Sequence, residues 1–390
     1  MPSIDHQPIC EIYADNAATT KPSPAAVAAM TRCLTEHYGN PSSLHRRGQD
    51  AATTLLLARE SIAALLHCSP RELYFTASGS EADNQALRTG AVWGVAQGKR
   101  HIVSTAFEHH AVLRTLEQLQ TEGFAVTLVP PRRDGLIHTE DIAAALRPDT
   151  CLVSVMMVNN EIGTLQPVAD IGALCRARSI LMHTDAVQAV GQLPIDLTAL
   201  PVDLLSFSAH KFHGPRGVGG LYARRGLPPA RLIFGGGQER GVRAGTENLP
   251  AIAGMEAALQ EAVSHLLQTE PVIAALREQL IDGLAKLPGA YLTGDRQLRA
   301  GGIVHFCFEG VESETLLLLL DEMGICASAG SACSSGALQA SHVLRSMGIP
   351  DSLARGALRL SIGVDTTPKQ IDTIIQTVGD AVARLRKENR

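Results

Sequence analysis

None of the eight cysteines falls in a Cys-x-x-Cys pair, which excludes a zinc ribbon or a thioredoxin-like redox motif. No run reaches the ~18 apolar residues of a membrane-spanning helix; the leucine run at 316–320 is flanked by Glu314 and Asp321. The basic surplus of a protein that binds nucleic acid or an anionic membrane is missing, because the net charge is -5. Residues 1–15 carry Asp5 and Glu11 and no apolar stretch, so no secretory signal is expected. There is no internal repeat, low-complexity tract or long linker. Neither a Gly-Lys-Thr phosphate loop nor the three-glycine dinucleotide spacing occurs.

What remains is an ordinary globular composition, 390 residues with 45% apolar and 19% charged side chains. That is enough for one large domain and a smaller one. The cysteines are scattered at 10, 33, 68, 151, 175, 307, 326 and 333, and Cys151 and Cys307 sit in apolar runs as expected of buried thiols. The pattern suits a reducing cytoplasm.

Short apolar runs at 73–75, 102–104, 126–129, 152–158, 180–183, 203–207 and 219–222 alternate with amphipathic stretches such as 83–96, 110–120 and 171–177. Runs that are apolar throughout predict strands covered on both faces, hence an α/β fold around a mostly parallel seven-stranded sheet. After residue 258 the texture changes. Two helical stretches, 251–267 and 272–287, lead to a strand at 303–308, a helix at 314–323 and a last helix at 368–387, which reads as a second, smaller α/β domain.

Two of the sheet's runs end in chemistry. Asp185 follows 180–183, and Lys211 follows 203–207 in Ser208-Ala209-His210-Lys211. An amine able to bond a carbonyl and an acid able to hold a pyridine nitrogen protonated are what pyridoxal phosphate requires. In open α/β sheets, ligands lie beyond the carboxyl ends of strands. Lys211 could equally be a solvated lysine and Asp185 a helix cap. The turn 76–84 opens a helix with free backbone amides, an anion site or simply a capped start. His109, at a strand-to-helix turn, is either a polar loop residue or an imidazole able to stack on a planar ring. Asn160 lies in Asn159-Asn160-Glu161-Ile162-Gly163, a turn or a set of ligand donors. His210 and His213 lack an accompanying carboxylate, so no metal is expected. Arg359 interrupts an apolar strand-like run and calls for a carboxylate, from substrate or from the chain. Cys333 stands among Ser, Ala and Gly, where a thiol is exposed and the loop can move.

Together, Asp15-Asn16-Ala17-Ala18-Thr19-Thr20, Gly39-Asn40-Pro41-Ser42-Ser43, Glu108-His109, Asn159 to Gly163, Ser208 to Lys211, Arg243-Ala244-Gly245-Thr246-Glu247-Asn248 and Gly330-Ser331-Ala332-Cys333 resemble the cysteine desulfurases of group I, the nitrogen-fixation and iron–sulfur-assembly type within the class V aminotransferases. The resemblance implies the aminotransferase-like fold type I of pyridoxal 5'-phosphate enzymes, a homodimer, and a cytoplasmic enzyme that converts L-cysteine to L-alanine. It implies residues 16–258 as the large domain, and 1–15 with 259–390 as the small one. Lys211, Cys333 and His109 are then catalytic. Lys211 holds the cofactor and takes the α-proton, His109 stacks on the ring, and Cys333 receives a persulfide. Cofactor contacts fall to Gly79, Ser80, His109, Asn160, Asp185, Gln188, Ser208, His210, Lys211 and, from the other subunit, Thr246. Asn160 and Arg359 bind substrate. The sulfur acceptor is implied to be an iron–sulfur scaffold or another thiol carrier, and Cys333 is a candidate to ligate a cluster jointly with a partner. Ser80 stands where Thr is frequent and Ala209 where Gly is common. The chain ends at 390 without the longer tail by which some members dock a scaffold. A selenocysteine lyase or another enzyme of the same fold and cofactor is the alternative.

Overall fold

The computed structural model describes residues 11–330 and 340–388. Among the described residues the strands are β1 Ile12–Tyr13, β2 Leu73–Thr76, β3 His101–Thr105, β4 Ala125–Val129, β5 Thr150–Ser154, β6 Leu181–Asp185, β7 Leu204–Ser208, β8 Gly219–Ala223, β9 Ala290–Leu292, β10 Ile303–Phe308, β11 Ile325–Cys326 and β12 Ala357–Ser361. Every residue of β3, β5, β6, β7 and β8 is buried. Such strands need helices on both faces, and the sequence supplies them between strands. Seven strands form one sheet in the order β2-β8-β7-β6-β5-β3-β4. The five from β7 to β4 run parallel, and β8 is antiparallel to both neighbours. The α/β class with a mostly parallel seven-stranded sheet is therefore present as the sequence predicts.

The run 152–158 is only partly strand, because β5 stops at Ser154. The backbone beyond it still bonds across to β6, Val155 N to His183 O at 3.1 Å and Met157 N to Asp185 O at 2.8 Å. This keeps 155–158 buried while steering the following Asn159 turn over the sheet's edge.

A three-stranded antiparallel sheet, β12-β10-β9, and the parallel pair β1-β11 lie outside the main sheet. They pack with the helices Ser313–Glu322 and Pro368–Glu388 around a second apolar core that includes Phe306, Leu316, Leu360 and Ile374. The two helical stretches read at 251–267 and 272–287 are one continuous helix, Leu249–Leu284, with Pro271 inside it. Proline forfeits one helical hydrogen bond. The loss is tolerated because Ala251, Ile252, Met255, Ala258 and Leu259 are set in the first core and Leu276, Leu280, Ile281 and Leu284 in the second, so burial holds the helix on either side of the break.

Candidate active site

The parallel strands deliver their carboxyl ends to one edge of the sheet. From that edge Glu108 and His109 follow β3, Asn159 to Glu161 follow β5, Asp185 ends β6, Ser208 ends β7, and Ala209 to Lys211 follow it.

Lys211 sits on the short 3-10 turn Ala209–Lys211. Its Nζ donates to the carbonyls of Ala17 at 2.6 Å and Ala18 at 2.8 Å. Gln188 Nε2 donates to the same Ala17 carbonyl at 2.9 Å, so lysine and amide meet at one acceptor. Gln188 Oε1 is buried and accepts no hydrogen bond among the described residues.

Asp185 is buried, and Val187 N donates to its Oδ1 at 2.9 Å. Burial raises its pKa to about 6, opposed by that hydrogen bond and by the nearby Lys211 charge. Behind it lies Asp83, also buried, whose pKa is pushed up by desolvation and then by Asp185. Two carboxylates so placed do not share charge easily, so Asp83 holds its proton and Asp185 carries the negative charge. His183 bridges Ser154 Oγ at 2.8 Å and Ser206 Oγ at 3.0 Å. Burial lowers its pKa to about 3, so the ring is neutral.

His109 caps the helix His110–Thr121, its Nδ1 accepting from Ala111 N at 3.1 Å. That bond places any ring proton on Nε2. Burial first, then Lys211, His110 and His342, lower its pKa to about 4, leaving a neutral imidazole. Beside it Glu108 is fully buried. It accepts from Thr105 Oγ1 at 2.6 Å and Met156 N at 2.9 Å, and burial raises its pKa to about 8.

The anion turn has the form the sequence suggests. Ser78 caps the helix Gly79–Ala96, accepting from Glu81 N at 3.1 Å. The first helical bond runs from Ala82 N to Ser78 O, so the amides of Gly79 and Ser80 precede the helical ladder. A Cβ on Gly79 would lie 2.7 Å from Val187 Cγ2 and 3.3 Å from Ser208 Cβ. Only glycine lets this helix end approach Ser208 and the Asp185 turn so closely. His210 Nδ1 lies 3.2 Å from Thr19 Oγ1, and its pKa is lowered to about 4 by burial and by Lys211.

Arg359, on β12 of the small sheet, is 2% exposed. Its Nη2 donates to Asp15 Oδ1 at 2.9 Å and its Nη1 to the Asn160 carbonyl at 2.8 Å, while Nε is buried without a partner among the described residues.

The sheet edge thus gathers Gly79, Ser80, His109, Asn160, Asp185, Gln188, Ser208, His210 and Lys211, and Arg359 reaches it from the second core. Thr246 stands apart, exposed in a loop that Arg243 ties to Glu81 at 2.9 Å. Cys333 lies outside the described residues. Sequence reasoning gave no role to Asp15, Glu108 or Asp83. Asp15 and Glu108 were visible only as members of motifs, and nothing in the chain signals that all three carboxyls are drawn in around the site.

The aminotransferase class-V family pattern matches residues 12–374. A protein of Methanosarcina thermophila named cysteine desulfurase IscS is 43% identical over 375 residues, 96% of this chain and 93% of the relative. A solved NifS-like protein superposes with a TM-score of 0.90 at 37% identity, covering 96% of this chain and all of its own. A structure described as SspA in complex with cysteine gives a TM-score of 0.78 at 33% identity, over 90% of this chain and 98% of its own.

Proposed function

The chain belongs to the aminotransferase class-V family, in its cysteine desulfurase branch, and on that premise we propose how its site acts on L-cysteine. The convergence of Lys211, Asp185 and His109 at one sheet edge, with the Arg359 guanidinium already held beside it, carries the reading.

Pyridoxal 5'-phosphate fits the residues present. The Gly79–Ser80 amides at a helix start, Ser208 and His210 suit a phosphate. Asp185 suits a protonated ring nitrogen, the neutral His109 ring suits a stacking face, and Gln188 Oε1, without a partner among the described residues, can accept from a donor on the ring. Lys211 is the amine that would hold the cofactor. When bound, the cofactor supplies an electron sink conjugated to the substrate Cα.

Around it the side chains divide the work. Arg359 and Asn160 orient the substrate, Arg359 through its carboxylate. Lys211, once displaced, takes the α-proton, with the Ala17 and Ala18 carbonyls as its resting acceptors. Asp185 stays ionised because Lys211 and the Val187 amide oppose its burial. The Cys333 thiolate attacks the substrate sulfur, a sulfur–sulfur bond forms and the carbon–sulfur bond breaks. The bonding pair stays with the substrate β-carbon, which is then protonated. L-Cysteine and the Cys333 thiol become L-alanine and a Cys333 persulfide.

The acceptor we infer is an iron–sulfur scaffold or other thiol carrier, and Cys333 could ligate a cluster with it. Two chains form the working unit, since Leu34, Tyr38, Leu44 and Phe234 are exposed on a single chain, as is Thr246, assigned to the partner's phosphate. The six described cysteines are free thiols, which suits a reducing cytoplasm. No helix among the described residues is long and apolar enough to cross a membrane. The test is incubation with L-cysteine and a thiol reductant. Alanine and sulfide in equal amounts support the reading, and alanine without sulfide would refute it.

A further inference from the structure

Asp15 has no part in the steps above, yet it opens a turn, residues 15–20, that touches both the side chain that grips the substrate and the one that takes its proton. The upstream end of the turn lies along β12 of the small sheet. Ser361 N donates to the Ala14 carbonyl at 2.7 Å, Asn16 N to the Ser361 carbonyl at 3.1 Å and Ala17 N to Ser361 Oγ at 2.9 Å. Arg359 stands two residues before Ser361, and its Nη2 donates to Asp15 Oδ1 at 2.9 Å. The downstream end is bound to the segment that carries Lys211. Thr20 N and Oγ1 both donate to the His210 carbonyl, at 2.9 and 3.0 Å, and His213 N donates to Thr20 Oγ1 at 2.8 Å. Between the two ends, the Ala17 and Ala18 carbonyls receive Lys211 Nζ.

The link is short and closed on itself. Ala18 N donates to the Asp15 carbonyl at 3.0 Å, which makes a β-turn and holds residues 15 and 18 within about 7 Å of each other. Tyr13 Oη donates to the Thr19 carbonyl at 2.8 Å, and Ala17 and Thr20 are buried. The arginine is equally constrained. Its Nη1 is tied to the Asn160 carbonyl at 2.8 Å, so the guanidinium plane is held through both terminal nitrogens, and each keeps a hydrogen for a substrate carboxylate.

We propose that Asp15 is a positioning residue that fixes the Arg359 guanidinium at a set distance from the Lys211 amine, so that the enzyme selects substrates whose carboxylate and amine share one carbon. The inference rests on the roles of Arg359 and Lys211 in the cysteine desulfurase reading. An amino acid with one more methylene between carboxylate and amine reaches Arg359 only by drawing its labile proton away from Lys211, and a misplacement of about 1 Å costs on the order of 100-fold in rate.

The experiment compares wild type with Asp15→Ala, Asp15→Asn and Asp15→Glu, with L-alanine and its isomer β-alanine as probes. In loaded enzyme the readout is exchange of the proton on the amine-bearing carbon, which uses Lys211 but no thiol. In Asp15→Ala the KM for L-alanine should rise about 10-fold with kcat changed less than about threefold, and the preference for L-alanine over β-alanine should narrow about 10-fold. Asp15→Glu keeps the charge but lengthens the link by a methylene, so its preference should narrow as well. Asp15→Asn keeps an acceptor oxygen at the same reach and should stay within about threefold of wild type. In cofactor-free protein, Asp15→Ala should unfold at lower denaturant than wild type, because Arg359 is left buried without its carboxylate. A preference unchanged in both Asp15→Ala and Asp15→Glu overturns the proposal. So does an unchanged unfolding midpoint in Asp15→Ala, which would mean that the pair with Arg359 is not made. A preference lost in Asp15→Asn but kept in Asp15→Glu would make Asp15 a source of charge alone and overturns it too. L-Alanine exchange involves no sulfur, so these outcomes stand apart from the desulfurase reading, which fails if wild type exchanges L-alanine but makes none from L-cysteine.

Discussion

Arg359 has two of its three nitrogens tied before any substrate arrives, to Asp15 and to the Asn160 carbonyl. A fork held in this way matches a carboxylate in a way that an ammonium does not. Arg359→Lys should therefore raise the KM for L-cysteine by about 10-fold or more while lowering kcat less, in steady-state assays of alanine release. An unchanged KM would detach Arg359 from substrate binding. Lys211→Ala removes both the cofactor's amine and the base, and turnover should fall by about 10²- to 10⁴-fold or more. Lys211 and Asp185 were legible in the chain because each follows an apolar run that can only be a covered strand, and strand ends are where such sheets bind. Asp15 was not legible as the partner of Arg359, 344 residues away. Nor was Glu108, whose motif position says nothing about burial.

Among elements, the helix Leu249–Leu284 departs most from its sequence pattern. A proline in mid-run reads as a boundary, since local chemistry there favours a break. Packing at both ends overrides it, and only the tertiary structure contains that information. The cost should still be measurable. Pro271→Ala, read by denaturant unfolding of the whole protein, should stabilise it by about 1–3 kcal/mol. A destabilised variant would mean that the proline's stiffening of the unfolded chain outweighs the missing hydrogen bond. The strands show the converse, because local pattern and tertiary demand agree. The runs at 102–104 and 219–222 fall within buried strands of the main sheet, and those at 180–183 and 203–207 overlap theirs in all but the first residue.

At the scale of the molecule, burying acids makes stability depend on pH. Glu108 has a pKa raised from the ordinary 4.5 to about 8, so the native state binds its proton more tightly than the unfolded chain. Its stabilising contribution is complete below pH 4.5 and is lost as pH rises through 8. Asp83 and Asp185 are shifted in the same direction. Glu108→Gln keeps an oxygen for Thr105 and Met156 but cannot ionise. Its denaturation midpoint should fall less than that of wild type between pH 4.5 and 8, the difference being on the order of a few kcal/mol. Parallel profiles would show that Glu108 is ionised in the native state. Assembly belongs to this scale too. If the proposed dimer holds, wild type should sediment as a dimer, Leu44→Asp combined with Phe234→Asp should sediment as monomers, and cofactor retention should weaken with the loss of Thr246 from the other subunit; a monomeric wild type would contradict the proposed dimer.

On the proposed mechanism, one sulfur atom leaves L-cysteine for Cys333 as L-alanine forms. A single turnover of cofactor-loaded enzyme with sulfur-labelled L-cysteine and no reductant measures it directly, with label counted on the Cys333 peptide and alanine counted in solution. One labelled sulfur on Cys333 per alanine released is expected, and no label in Cys333→Ser. Alanine released without label on that peptide, or undiminished in Cys333→Ser, would contradict it.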